Sequence, residues 1–233
     1  MRTHVIGLTG FASAGKDTVA DLLAMHFGFR KFAFADALRG EVASAYGLDL
    51  RYFIDPRLKN EALSALALDN APFGFVGAVA FAAGKESRAK DGEVSRDWLA
   101  EPRSPRQIMQ WWGTEYRRRQ SPRYWTSVLV ERINYAKRDG CTRFVITDCR
   151  FENEVDTLRA MGGLLWQIKR PGIDATTTAE GMHASTTDGS AFRPHTVISN
   201  KHDLRHLQGI VISEFVGLEA GIDPASVKVT VAT

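Results

Sequence analysis

Cysteine is scarce, with only Cys141 and Cys149 in a chain of 233 residues. Two thiols make no disulfide framework and their spacing fits no zinc site, so a reducing compartment is the expectation. Long apolar runs are missing too. The longest mostly apolar stretch, Ala71 to Ala83, is interrupted by Gly74 and Gly77 and falls short of the ~20 residues that cross a bilayer, so no membrane partner is expected. No basic and apolar leader precedes the first apolar run, which argues against secretion and for a cytoplasmic location. Neither sign of charge dominates: 30 Lys and Arg against 27 Asp and Glu leave a formal net charge of +3. That balance suits small anionic ligands without demanding nucleic acid. No internal repeat is found. The length suits one well-buried α/β domain spanning 1–233 with an inserted piece, rather than two domains.

What the chain does have begins almost at once. The apolar run Val5-Ile6-Gly7-Leu8 reads as a strand, Gly10-Phe11-Ala12-Ser13-Ala14-Gly15-Lys16-Asp17-Thr18 follows it, and a helical pattern follows that. Strand, glycine loop and helix in this order make a phosphate cradle. Gly10 and Gly15 allow tight turns that present backbone N–H groups, the helix N-terminus adds its positive dipole end, and Lys16 supplies a mobile cation. The spacing is the G-x-x-x-x-G-K of a P-loop. The usual Ser or Thr after the lysine is replaced by Asp17, with Thr18 one place later, a variant that resembles the loop of nucleoside monophosphate kinases more than that of switch GTPases.

Further along, Val19, Leu22, Leu23 and Phe27 keep helical spacing up to Gly28, a residue placed as a helix terminator. Phe29 to Ala35 reads as a second strand ending at Asp36, completing a βαβ unit with parallel strands. Asp36 and Arg39 then follow a strand's C-terminal end, where ligands of open α/β sheets bind; Asp36 also suits a helix N-cap. From about 49 to 100 the period fades. Lys59 to Leu63 suggests a short helix, and the rest reads as an inserted, partly mobile segment. Ser104-Pro105 and Ser121-Pro122 signal two helix starts, the first helix running through Trp111 and Trp112 to Gly113-Thr114, the second carrying Trp125, Val128, Leu129, Arg132, Ile133 and Ala136 to Gly140. The tryptophans read as a core stripe and Arg117, Arg118 and Arg119 as a solvated face. Arg143 to Asp148 is a buried strand ending in an acid, in P-loop proteins a common place for a Mg²⁺-holding carboxylate. Arg150, Glu152 and Glu154 open a helix to Gly162-Gly163, Leu164 to Lys169 is a strand, and Ile173 to Pro194 reads as a lid-like loop, bounded at about 172–194. His195 to Ile198 is the last strand and Asp203 to Phe215 the last helix.

Taken together, several segments resemble the bacteriophage deoxynucleoside monophosphate kinases. They are Gly10 to Thr18, Phe32 to Asp36 with Arg39, Arg106-Gln107 through Gly113-Thr114-Glu115, Tyr124-Trp125, Thr147 to Glu154, Arg170-Pro171-Gly172, His183-Ala184-Ser185 and Ile198-Ser199-Asn200. Where relatives often carry an acid after the His-x-Ser, this chain has Thr186. The resemblance implies a P-loop kinase fold, about five parallel strands flanked by helices on both faces, and transfer of the ATP γ-phosphoryl to a deoxynucleoside monophosphate (dNMP). It also suggests a homodimer in the host cytoplasm.

Phosphoryl transfer requires alignment and positive charge more than covalent help. Backbone N–H groups of Ala12 to Thr18, with Ser13, Ala14, Gly15 and Lys16, are accordingly expected to hold the ATP phosphates, and Asp17, Thr18 and Asp148 to arrange Mg²⁺. Arg39, Arg106 and Arg150 are candidate clamps on the acceptor phosphate, since guanidinium forks match its oxygens. By resemblance Phe34, Asp36, Gln107, Gly113, Thr114, Trp125 and Glu152 frame the acceptor, and Arg170 closes over the transferring group. The alternatives are a P-loop kinase for another small phosphorylated metabolite and a nucleic-acid-binding P-loop ATPase using the Arg/Trp cluster as its groove.

Overall fold

The computed structural model describes residues 3–173 and 190–221. In chain order they form β1 (His4–Thr9), α1 (Lys16–Phe27), β2 (Arg30–Phe32), α2 (Phe34–Tyr46), α3 (Arg51–Ile54), α4 (Phe73–Ala83), α5 (Arg96–Ala100), α6 (Pro105–Gln110), α7 (Tyr124–Arg138), β3 (Arg143–Ile146), α8 (Glu152–Ala160), β4 (Leu164–Lys169), β5 (Thr196–Ser199) and α9 (Leu204–Glu219). Short 3₁₀ turns lie between α3 and α5, and a π-helical segment, Trp111–Arg118, continues α6. The expected lid falls mostly on residues outside those described, as do His183, Ser185 and Thr186. Among the described residues no helix is long and apolar enough to cross a membrane.

The chain divides into two compact units, Met1–Ala33 with Glu131–Thr233, and Phe34–Val130. The first holds a five-stranded sheet in the order β2-β3-β1-β4-β5, with every neighbouring pair parallel. β1 is buried along its whole length, as expected of a strand covered on both faces. Alternation along β1 divides its side chains between two layers. Ile6 and Leu8 join Val19, Leu23, Trp166, Ile198, Val211 and Phe215 in a core that includes residues of α1 and α9. On the other face Gly7 meets α8, where an added Cβ would lie 2.5 Å from a Leu158 methyl and 2.8 Å from Cys149 Sγ. The latter half of α7 covers that sheet too, with Arg132 over the Phe32 ring and Lys137 over the Phe144 ring. The parallel sheet with helices on both faces is therefore the fold expected from the sequence.

The second unit is helical. Phe75 of α4 packs on Trp112 and Tyr116, ring centroids 4.7 and 5.7 Å apart, over a core that includes Val42, Phe53, Leu66, Leu68 and Ile108. Arg103, 5 % exposed, lies over the rings of Trp98 and Trp111 and donates to the Trp98 carbonyl at 3.0 Å. The unit takes in the whole 49–100 stretch and extends beyond it.

Four local expectations need correction. The second strand stops at Phe32, because α2 starts at Phe34; Asp36 thus lies in the first turn of α2 rather than at a strand's end or an N-cap. Lys59 to Leu63 is not helical but turn and bridge, held by Leu63 N donating to the Arg103 carbonyl at 3.0 Å. Gly113-Thr114 does not end the helix begun at Pro105, since the backbone passes through it in π-helical form. The helix signalled by Ser121-Pro122 starts at Tyr124, the two residues between forming a turn that donates Tyr124 N to Ser121 O at 3.0 Å.

Candidate active site

In the first unit every candidate residue follows the C-terminal end of a parallel strand, the edge at which α/β sheets bind ligands. Gly10 to Gly15 follow β1, which lies between β3 and β4. The loop has φ of +137° at Gly10, +63° at Ser13 and +105° at Gly15. Such left-handed residues turn successive N–H groups into one concavity, a nest for an anion. Neither glycine has room for a side chain: a Cβ at Gly10 would lie 2.3 Å from the Ile168 carbonyl oxygen, and one at Gly15 2.5 Å from Asn200 Nδ2. Ser13 adopts its positive φ at a cost of ~1–2 kcal/mol, strain of the kind stored at binding loops. No side chain caps the start of α1, so its first N–H groups are available to a phosphate. Lys16 Nζ donates to the carbonyls of Gly10 and Phe11, at 2.8 and 2.7 Å, and so arches over the loop.

A brace that spacing did not reveal holds this loop from β5: Asn200 Nδ2 donates to Ala14 O at 3.0 Å, while Asn200 N donates to Lys169 O at 2.7 Å. Asp17 is exposed and Thr18 half-buried. Asp148, half-buried, stands two residues past β3. The backbone beyond it is pinned from both sides. Cys149 N donates to Leu8 O at 3.0 Å, and Arg150 N and Phe151 N donate to Glu154 Oε2 at 2.8 and 3.2 Å. Glu154 is 1 % exposed. It reaches back over the start of α8 and fixes the turn that presents Arg150 and Glu152, both exposed. Burial, with the Glu154 and Asp148 carboxylates adding to it, pushes the Cys149 thiol well up, so this cysteine is a packed apolar group and no nucleophile. Beside the loop opens a cavity of about 480 Å³, lined among others by Phe11, Ile168, Arg170, Pro171, Val197 and Lys201. Arg170 thus belongs to the wall of a pocket next to the glycine loop.

The remaining candidates lie in the second unit, on helices that pack on one another. Phe34 is buried at the start of α2. Arg39, in the second turn of the same helix, donates from Nη1 to Asp36 Oδ1 at 3.2 Å, and its Nε is buried with no hydrogen-bond partner. Ser104 caps α6 by accepting from Gln107 N at 3.2 Å, and Arg106 N donates to Lys59 O at 3.1 Å. Gly113 is buried in the π-helical segment, where an added Cβ would lie 3.4 Å from a Leu38 methyl. Its carbonyl accepts from Trp125 Nε1 at 3.1 Å. Trp125 is only 3 % exposed, so its ring offers no open face and its Nε1 is spent on the Gly113 carbonyl. Thr114 is half-buried beside it. Arg117 departs from the solvated face expected of its neighbours: its Nε donates to Glu41 Oε2 at 2.8 Å. Glu41 carries no motif that could have drawn attention to it.

The sequence profile of the family described as "Deoxynucleotide monophosphate kinase" matches residues 86–211, more than half of the chain. Among curated proteins, the chain is 24 % identical over 203 residues to the putative deoxynucleotide monophosphate kinase of Acanthamoeba polyphaga mimivirus, covering 83 % of this chain and 86 % of that one. It is 22 % identical over 236 residues to the deoxynucleotide monophosphate kinase of Enterobacteria phage T4, covering 84 % and 97 %. Among solved structures, dephospho-CoA kinase from Campylobacter jejuni aligns at 12 % identity with a TM-score of 0.46, covering 93 % of this chain and 98 % of that one.

Proposed function

Because the chain belongs to the deoxynucleotide monophosphate kinase family, and so transfers the γ-phosphoryl of ATP to a dNMP, we propose how its residues divide that reaction. The observation that carries the reading is the glycine loop: a nest of left-handed residues runs into an uncapped helix start, with Lys16 arched over it. This arrangement supports binding of the β and γ phosphates by the N–H groups of Ala12 to Thr18 and by Lys16, whose Nζ already sits over the loop on the Gly10 and Phe11 carbonyls. The adjoining cavity suits the adenosine part, with Ile168, Pro171 and Val197 for the ring and Lys169, Arg170 and Lys201 for its charged end.

Mg²⁺ is the metal such chemistry uses, and the oxygen donors Thr18, Asp17 and Asp148 fit it, since Mg²⁺ takes one or two carboxylates and fills its shell with phosphates and water. When bound, it would neutralise charge developing on the phosphates. For the acceptor phosphate the candidates are Arg39 and Arg106 in the second unit and, in the first, Arg150. Arg39 supports this most directly, because a buried and unmatched Nε costs ~1–3 kcal/mol and marks a guanidinium kept for something other than stability. For the sugar and base the candidates in the second unit are Phe34, Asp36, Gln107, Gly113 and Thr114, with Trp125 holding Gly113 in place, and in the first unit Glu152. None of these groups needs to move a proton far. Their task is to align an acceptor oxygen with the γ-phosphorus and exclude water.

The test is ADP release measured with purified protein across the four dNMPs, the matching NMPs and other phosphorylated metabolites. Stimulation by at least one dNMP, lost in Lys16→Ala while the protein stays folded, is the expected result. Turnover that is equal in the Lys16→Ala variant would remove the cradle assignment. Stimulation only by a different metabolite would remove the acceptor assignment.

A further inference from the structure

Glu41 lies on α2, two residues past Arg39 and therefore turned away from it on the helix. Its carboxylate is the meeting point of the second unit. Oε2 accepts from Trp112 Nε1 at 2.9 Å and from Arg117 Nε at 2.8 Å, while Oε1 accepts from the Tyr124 hydroxyl. These donors are 71, 76 and 83 residues away in sequence. They come from the π-helical segment and from the first residue of α7. The Arg117 guanidinium, whose charge Glu41 balances, lies over three rings, at 5.7 Å from Trp112, 4.9 Å from Tyr116 and 4.8 Å from Tyr124, and donates further to Gln120 at 3.3 Å. Side chains of Glu41 and Arg117 are each only 24 % exposed. A charge pair so enclosed, with three donors shared over two oxygens, has one arrangement rather than many.

The three elements tied here carry six of the residues assigned to the acceptor. α2 bears Phe34, Asp36 and Arg39. Gly113 and Thr114 directly follow Trp112. Trp125 directly follows Tyr124 and donates to Gly113. We infer that Glu41 is a positioning residue for the dNMP pocket: by clamping Trp112, Arg117 and Tyr124 it sets the distance from Arg39 on one side to Gly113 and Thr114 on the other, and so governs acceptor affinity while touching no substrate. The inference rests on the acceptor assignment made above. It concerns only the acceptor, because none of the clamped residues belongs to the glycine loop.

Steady-state kinetics of Glu41→Gln, with dNMP and ATP varied separately, decide the matter. The amide keeps the shape but gives up the charge facing Arg117 and one acceptor oxygen. KM for the dNMP is expected to rise ~10-fold, the equivalent of one lost charged hydrogen bond, with KM for ATP within about twofold of wild type. Tyr124→Phe, which keeps the ring stack and removes one donor, should show the same split at smaller amplitude, and Glu41→Asp should recover part of the loss. A dNMP KM unchanged in folded Glu41→Gln, or both KM values rising together, would overturn the proposal. So would failure of all three variants to fold, which would make Glu41 a stability residue. A wild-type protein that no dNMP stimulates would instead refute the acceptor assignment itself, so the two failures are told apart.

Discussion

Asn200 holds the glycine loop by one hydrogen bond, from Nδ2 to the Ala14 carbonyl, and its amide occupies the space a side chain at Gly15 would need. Small residues on one side and a large polar one on the other are thus a single fitted pair. Asn200→Ala should cost about 0.5–1.5 kcal/mol of stability. It should also raise KM for ATP several-fold and leave KM for the dNMP unchanged, because the freed loop samples conformations in which its N–H groups no longer converge. Calorimetry with two-substrate kinetics reads both effects, and an unchanged ATP KM would reduce Asn200 to ordinary packing. At the residue scale the glycine loop was legible in advance, since its requirement for positive φ is written in glycines at fixed spacing. The brace was not, since nothing local to Asn200 points toward residue 14.

The elements show where a short-range code reaches and where it stops. β4 was expected over Leu164 to Lys169 and is found there, its continuous apolar run belonging to a strand covered on both faces. α4 escaped notice because it has no polar face: Phe75, Val79 and Ala80 are buried while Phe73 and Phe81 are exposed, so no contrast of period 3.6 exists to be read. The π-helical segment escaped for another reason. Its extra residue per turn is imposed by what it must contact, with Trp112 on Glu41 and Gly113 on Trp125, and π-helical turns recur where function dictates position. The start of α8 gives a prediction at this scale. Glu154→Ala leaves the N–H groups of Arg150 and Phe151 without their acceptor, so stability should fall by about 1–3 kcal/mol. Alkylation of native Cys149 should also become faster, which mass spectrometry of the labelled protein would show; a protected thiol and an unmoved melting point would contradict it.

For the whole molecule, pH dependence follows from groups buried in their neutral form. Burial raises Cys149 and Tyr46, and burial with the Glu41 hydrogen bond raises Tyr124. Each keeps in the native state a proton that the unfolded chain releases, so the contribution is complete below the unfolded value and is lost as pH rises. Stability should therefore decline from about pH 8.5, where an unfolded thiol titrates, and again near pH 10, where an unfolded phenol does. Denaturant melts from pH 7 to 10.5 measure this. Cys149→Ala should flatten the first decline, and an unaltered curve in that variant would assign the loss to other groups. The molecule's topology agrees with the sequence at this scale too: the parallel sheet with helices on both faces was expected, and β1 at its centre places the glycine loop between β3 and β4.

By itself the sequence determined the phosphate loop, the buried strands β1, β3 and β4 and the helix start that Ser104-Pro105 announces, because these depend on backbone preferences and periods spanning a few residues. Only the tertiary structure decided which side chains meet: that Asn200 steadies the loop, that Glu154 secures the turn before α8, and that Glu41 gathers Trp112, Arg117 and Tyr124 from at least 71 residues away. An enclosed carboxylate, buried as Glu154 or half-buried as Glu41, takes whatever donors the packed elements bring within reach, and no spacing along the chain encodes that choice.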